Sequence, residues 1–554
     1  MKKEKIKPML FSVIKKYTAK QFTTDVISGI IVAIIALPLS IALALASGVG
    51  PEEGLYTAIV AGFIISFLGG SRVQIAGPTA AFATIVAGIV AKNGMEGLMM
   101  ATIIAGILLI LMGLFRLGSL IKFIPYTITT GFTAGIAVTI FIGQIKDFLG
   151  LTYPKGTVTI ETMEKVEAIV KNISTLNVEA LIVGIVCLVV LIVWPKFVDK
   201  IPASLIAVIV GIVLVKGFGM NVNTIGDLYS INGGLPKFHA PVFSWSLVQA
   251  SFSNGFTIAI LAAIESLLSA VVADGMIGSH HRSNMELIAQ GCGNIGSVLF
   301  GGIPATGAIA RTAANIKNGG RTPIAGIVHS IVLLLVLVVL MPYAALIPMP
   351  TIAAILFQVA YNMCQHKVFL HLCKTAPKSD IIVLVSTFIL TVVFDLVIAI
   401  EVGMVAACLL FMKRMSEEST VKGWTYIDPE EQGNDPDSID LRVVPKHVRV
   451  YEISGPMFFG DADALAGITT KEFTKCLVIR MRGVPALDAT AMRSLEMLYD
   501  DCKKKGVRVI FSHVNDQPMR TMEKDGFVEK VGRENFCPHI DDALSLASKM
   551  ADEK

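Results

Sequence analysis

Apolar residues dominate the chain from about position 26 to position 411, interrupted by short polar or Gly/Pro-rich turns. A bilayer core takes roughly 20 apolar residues per helix. On that measure the pattern predicts fourteen segments: 26–46, 55–68, 79–91, 98–115, 120–145, 178–194, 203–215, 252–273, 286–300, 307–317, 323–341, 351–361, 381–394 and 396–412. Two of these, 79–91 and 307–317, are too short to cross a bilayer alone. Each follows a non-helical stretch: Gly77-Pro78-Thr79-Ala80-Ala81 in the first half, and Gly302-Ile303-Pro304-Ala305-Thr306-Gly307-Ala308-Ile309-Ala310-Arg311 in the second.

Past Lys413-Arg414 the pattern changes. Residues 417–440 are polar, with Asp428-Pro429 and Gly433-Asn434-Asp435-Pro436, and read as a linker. Strand-like stretches 448–453, 476–481 and 507–512 then alternate with helical ones opening at 463–466, at 489–504 and at 540–550, which predicts a small α/β domain. The expected organisation is a cytoplasmic N-terminus (1–23), a transmembrane region (24–414), a linker (415–440) and a terminal domain (441–554).

Lys and Arg set the orientation. The N-terminal lysines, Arg72, Arg116 with Lys122, Lys196 with Lys200, Arg282, Lys317 with Arg321, the turn at 367–378 and Lys413-Arg414 share one side if the N-terminus is cytoplasmic. Turns around Gly50-Pro51-Glu52-Glu53, 301–305 and 341–350 lack both residue types. Both termini and the terminal domain are therefore expected in the cytoplasm, and the chain in the cell's inner (plasma) membrane. The same alternation runs the two short helices in opposite directions, so that their N-termini meet near the midplane, as two inverted repeats of seven segments require. Ordinary Gly/Pro kinks are the plainer alternative.

Composition agrees with a membrane protein. Of 554 residues, 54% are hydrophobic and 16% charged, with a mean hydropathy of +0.69. The net charge of +4 gives no support to nucleic-acid binding. The eight cysteines show neither CxxC pairs nor metal spacing with His. No cofactor and no enzymatic constellation are expected.

A helix that begins inside a membrane aims unpaired N–H groups and about half a positive charge into low dielectric, which makes an anion site. The candidate donors are the backbone N–H groups of Ala80, Ala81 and Phe82 and of Ala308, Ile309 and Ala310. Arg311 adds a full charge with a planar fork suited to an oxyanion or carboxylate; reaching a carbonyl is its structural alternative. Thr79 is placed to cap its helix, and Ser40 follows a break at Pro38. Glu265 lies mid-span, where a carboxylate costs several kcal/mol unless paired or protonated. It is the coupling candidate, with Ser269 one turn on; a purely structural carboxyl is the alternative. Asp395 and Glu401 are expected at an outer turn.

The motifs Ile34-Ile35-Ala36-Leu37-Pro38-Leu39, Gly54-Leu55-Tyr56-Thr57, Gly77-Pro78-Thr79-Ala80-Ala81, Ile264-Glu265-Ser266-Leu267-Leu268, Val272-Ala273-Asp274-Gly275 and 304–311 resemble the SulP sulfate-permease family. Asp488-Ala489-Thr490 lies in a region similar to the STAS domain shared with anti-sigma-factor antagonists. The resemblance implies an α-helical polytopic protein of core and gate domains in a 7+7 inverted repeat, with a cytoplasmic α/β STAS domain. It also implies elevator-like movement and a homodimer in membrane lipid. The substrate would be a small inorganic or carboxylate anion: sulfate, bicarbonate or a small dicarboxylate, as in the bacterial dicarboxylate members. Thr490 resembles a phosphorylatable hydroxyl, which a helix cap explains equally well. Some members carry Gln where Leu39 stands, so a polar contact from the first helix is in doubt. Sodium-coupled bicarbonate members resemble this chain around Glu265 but carry Asp there, with a Thr hydroxyl where Ile309 stands. The longer Glu265 therefore points to protons as the coupling ion. An anion channel or exchanger without proton coupling remains an alternative. So does a nucleobase transporter of the same architecture, although 304–317 lacks the acidic residue such proteins use.

Overall fold

The computed structural model describes residues 6–119, 125–154, 157, 159, 161–198, 201–229, 231, 233–394, 396–418, 420–424, 443–458, 468 and 474–552. The chain divides into two compact units, one to Val405 and one from Ala406.

In the first unit, most of the longer helices overlap the predicted segments, while His366–Thr375 and the short Thr162–Asn172 lie outside them. The principal helices are α1 (Ala19–Ala46), α2 (Pro51–Leu68), α3 (Ala80–Leu114), α4 (Tyr126–Leu149), α5 (Val178–Val193) and α6 (Ala203–Phe218). After them come α7 (Trp245–Ile277), α8 (Ser283–Leu299), α9 (Ile309–Lys317), α10 (Ile324–Ala344), α11 (Met349–Cys364), α12 (His366–Thr375), α13 (Lys378–Val393) and α14 (Leu396–Glu418), which runs on past the unit's end. Among the described residues, seven helices are long and apolar enough to cross a bilayer. The start of the predicted segment 120–145 and residues Lys122, Lys200 and Asp395 lie outside the described residues; Glu401 is exposed on α14.

Three local features differ from expectation. The predicted segments 79–91 and 98–115 form the single path of α3, which turns at Gly94 (φ 67°), a left-handed conformation available to glycine at little cost. Pro38 does not break α1, which continues through it. The basic turn at 367–378 contains helix α12.

Packing sorts the helices into two groups. In the first, α3 packs against α7 and α8, α2 against α8 and α10, and α1 against α10 and α2. In the second, α4 packs against α11 and α13, and α11 against α5. Lipid tails are as apolar as side chains, so membrane helices gain most from close approach at small residues. The α3–α8 crossing shows this: a Cβ on Gly106 would meet the Gly291 carbonyl oxygen at 2.8 Å, and one on Gly291 would meet that of Gly106 at 2.4 Å.

The second unit is a five-stranded sheet of β3 (Thr420–Trp424), β4 (Val448–Ser454), β5 (Cys476–Gly483), β6 (Arg508–Ser512) and β7 (Phe536–Cys537), in that order; β3 is antiparallel and the other pairs are parallel. Helices α15 (Ala489–Lys504), α16 (Asp516–Asp525) and α17 (Phe527–Val531) supply one core, with Leu495, Met522 and Phe527 against Ile479 and Phe511. Helix α18 (Ile540–Asp552) covers the other face through Ala543, Leu544 and Ala547. Strand β3 falls in the stretch read as linker. Its Thr-Val-Lys-Gly-Trp sequence suits an edge strand, and its pairing with β4 satisfies backbone groups that an open edge would leave bare. The predicted helix opening at 463–466 lies outside the described residues, as do linker residues 425–440.

Candidate functional site

The two non-helical stretches meet. Ala76–Gly77 (β1) and Thr306–Gly307 (β2) pair antiparallel, with Ala76 opposite Gly307 and Gly77 opposite Thr306. Extended backbone at membrane depth is stable only where buried protein groups satisfy it, and each approach has such groups. On the first side, the Glu286 carboxylate accepts from the N–H groups of Gly70 and Ser71 at 2.8 and 3.0 Å. Asn315 donates to the Val73 carbonyl at 2.8 Å. On the second side, Asn294 donates to and accepts from the backbone of Ala305 at 2.9 and 2.8 Å. Thr57 accepts from Ile303 N–H at 2.7 Å.

From this crossing, α3 and α9 start, and neither is capped by the side chain of its N-cap residue. Thr79 stands at the N-cap of α3 but does not cap it. Its hydroxyl instead donates to Glu265 Oε2 at 3.0 Å. The Thr306 hydroxyl reaches the same oxygen at 2.8 Å and lies 3.2 Å from that of Thr79. Glu265, on α7, is thus bracketed by one hydroxyl from each break. Its neighbour Ser266 accepts from Gly307 N–H at 3.1 Å, tying α7 to β2.

Of the six candidate amides, two are engaged: Ala308 N–H donates to the Ile75 carbonyl at 2.9 Å, and Phe82 N–H to that of Thr79 at 3.2 Å. Helix geometry leaves the N–H groups of Ala80 and Ala81, and of Ile309 and Ala310, without intrahelical partners. The start of α9 is open on the side of Ile309, which is 40% exposed, and Ala310; Ala80 and Ala81 are buried.

Arg311 is 1% exposed. Its Nη2 donates to the Pro78 carbonyl at 2.8 Å, while Nε and Nη1 have no partner among the described residues. It packs so tightly that a Cβ on Gly77 would lie 2.3 Å from Nη1. The carbonyl contact foreseen as its structural alternative is therefore present, and it carries the charge from α9 across to the start of α3. Ser269 is not brought to Glu265. It lies 3.5 Å from the Thr312 hydroxyl on α9, which accepts from Ile75 N–H at 3.1 Å. Ser40 is buried, its hydroxyl without a partner among the described residues.

Sequence reading passes over Thr306, Ser266, Asn294, Asn315 and Glu286. Thr306 had a legible signal, a hydroxyl in the second break matching Thr79 in the first. The amides had none, since a polar residue on an apolar helix does not say which backbone it will serve. In the second unit, Asp488 caps α15 by accepting from Ala491 N–H at 2.8 Å, and Thr490 is exposed on its first turn.

Comparison with known proteins matches residues 22–387 to the sulfate permease family and residues 438–543 to the STAS domain. The chain is 40% identical to the "Putative sulfate transporter YvdB" of Bacillus subtilis, over 95% of this chain and 98% of that one. It is 32% identical to the bicarbonate transporter BicA of a Picosynechococcus strain, over 94% of each. The structure of the BicA transmembrane domain covers 71% of this chain and 98% of its own, at 30% identity and a TM-score of 0.62. The murine Solute Carrier 26 family member A9 anion transporter shares the fold across 98% of this chain and 94% of its own, with a TM-score of 0.88 at 20% identity. The chain therefore belongs to the sulfate permease family of membrane transporters and carries a C-terminal STAS domain.

Proposed function

We propose that this protein carries a small oxyanion or carboxylate across the inner (plasma) membrane by secondary active transport. The N–H groups at the starts of α3 and α9, with the Arg311 charge behind them, form the anion site, and Glu265 couples transport to protons. The observation that carries this reading is the bracketing of Glu265 by Thr79 and Thr306. A carboxylate between the two half-helix starts senses both, and its charge opposes that of an arriving anion. Protonation removes that opposing charge and converts an acceptor into a donor, so the bonds joining the two breaks rearrange with the proton. The helix grouping favours an elevator-like step in which the group holding β1, β2 and α9 moves against the group around α4. Both termini are cytoplasmic under this reading, and the working unit is a homodimer.

The test is uptake into proteoliposomes with labelled sulfate, bicarbonate, succinate and chloride, across external pH and with or without sodium. Uptake of one of the first three should rise as external pH falls, be indifferent to sodium, and lose its pH dependence in Glu265→Gln.

One observation favours a second reading. Thr79, Thr306 and Glu265 gather three oxygens within 3.2 Å of one another, the hard-oxygen environment that sodium also uses. Sodium-stimulated uptake with a flat pH profile would establish that reading and defeat proton coupling.

A further inference from the structure

A second polar site lies away from the crossing, where the N-terminal segment meets the ends of α1 and α9. A cavity of about 310 Å³ is lined there by Ser12, Tyr17, Gln21, Arg72, Arg321 and Thr322, with no acidic residue in its wall. Arg72 makes no hydrogen bond or ion pair with any described residue, although it is on the wall of the cavity. Among the described residues the Arg321 guanidinium spends only Nη1, donating to the carbonyls of Ile316 and Gly320 at 2.8 and 2.7 Å, which holds it in place.

The acid nearest to these walls is already satisfied. Asp25 is fully buried and accepts from the Tyr17 hydroxyl, Gln21 Nε2, Arg321 N–H and the Thr322 hydroxyl at 2.9, 2.9, 2.9 and 2.6 Å. Four donors leave this carboxylate little capacity for either arginine.

The segment forming one wall is bolted down. Met9 N–H donates to the Gly69 carbonyl at 2.8 Å, and Arg282 donates to the Lys7 carbonyl and the Ser12 hydroxyl at 2.7 and 2.9 Å. The same segment exposes Phe11, Ile14 and Phe22 beside exposed Lys15 and Lys20, the residue mix of a helix resting in a lipid interface. Two arginines, one of them held in place, the Ser12 hydroxyl, no acidic residue in the wall and an apolar rim at the interface suit a phosphate group.

We propose that this cavity binds a phosphate group, presented either by the head of an anionic lipid or by free phosphate. Its position gives occupancy a consequence. Arg72 immediately precedes Val73, whose carbonyl is held by Asn315 of α9, and Asn315 in turn accepts from Ser28 of α1 at 2.7 Å. A phosphate bridging Arg72 and Arg321 therefore clamps the approach to β1 onto the exit of α9, at the end remote from Glu265.

The test uses the full-length protein in a neutral detergent, titrated separately with short-chain phosphatidylglycerol and with inorganic phosphate while thermal unfolding is followed. A ligand bound only by the folded state raises the unfolding temperature saturably. Saturation with the lipid alone identifies a lipid site, and saturation with phosphate at comparable affinity identifies a free-phosphate site. In either case R72Q should weaken apparent affinity about tenfold, the scale of one charge-assisted contact. A distant lysine variant, K374Q, should leave it unchanged. R72Q carries the test because Arg72 makes no bond with any described residue, whereas R321Q also removes two carbonyl contacts. Absence of saturable stabilisation by either probe, or equal affinities in R72Q and the unmodified protein, would overturn the proposal.

Discussion

Thr306 separates two roles that Glu265 can play. If the hydroxyl only fills space, Val serves as well as Thr; if it holds the carboxylate, the hydrogen bond decides. A bond to a charged group contributes about 1.5–3 kcal/mol, so Thr306→Val should reduce uptake at least about tenfold, and Thr306→Ser, which keeps the hydroxyl, should retain most of it. Equal activity of the two variants would show that the bracket has no part in transport. Arg311 makes a matching case at the positive end. With Nε and Nη1 uncommitted in a buried site, its remaining donors have no acceptor among the described residues, and under the proposed function a bound anion would supply one. Arg311→Ala should weaken substrate binding about tenfold or more while the protein stays folded. An unchanged apparent affinity in uptake assays would remove Arg311 from the anion site. Gly77 belongs to the same argument: with Arg311 Nη1 2.3 Å from where a Cβ would sit, Gly77→Ala must push the guanidinium aside and should reproduce the Arg311→Ala loss in binding. Near-normal binding in that variant would show that the close packing is not needed.

At the scale of elements, what the sequence makes legible is what its periodicity carries. Long apolar runs and Gly/Pro punctuation locate the helices, although α1 and α7 start at Ala19 and Trp245 rather than at 26 and 252, and the two breaks are visible because a short apolar helix after a non-helical stretch has few readings. That the breaks pair as strands is not visible, since two residues per strand leave no alternation to read. The side chains that satisfy them, Asn294 and Asn315, stand among apolar residues with no local mark of their targets. Ser269 shares the helix face of Glu265, as residues four apart do, but its hydroxyl meets Thr312 of α9, a partner on another helix that spacing along α7 does not reveal. Strand β3 was hidden by its surroundings, a five-residue β-prone run inside a polar stretch. Its pairing with β4 yields a direct comparison of the isolated STAS fragments 419–554 and 441–554. Cross-strand pairs contribute roughly 0.2–1 kcal/mol each, so the shorter fragment should unfold at lower urea and be less stable by about 1–3 kcal/mol. Equal midpoints would mean that β3 adds nothing to the sheet.

At the scale of the molecule, every hydrogen bond that builds the crossing closes inside the first unit. Glu265, Thr79, Thr306, Arg311, Pro78, Asn294 and Asn315 find their described partners between α1 and α9. The terminal domain, in turn, completes its own two cores on the faces of its sheet. Under the proposed function, anion recognition is then expected of the membrane unit, and the STAS domain is expected to regulate or assemble it. A chain ending at Met415 keeps most of α14 and loses the whole sheet, β3 included, which makes it the cleanest cut. If the division of labour holds, this truncated protein, purified in detergent and shown to be folded by its thermal transition, should bind substrate within about twofold of the full chain, the scale expected of sites coupled weakly at a distance. Its transport rate in proteoliposomes is free to fall, because an elevator-like step depends on how the groups move as well as on how the anion is held. Complete loss of binding by well-folded truncated protein would instead place the STAS domain within the anion site's own energetics.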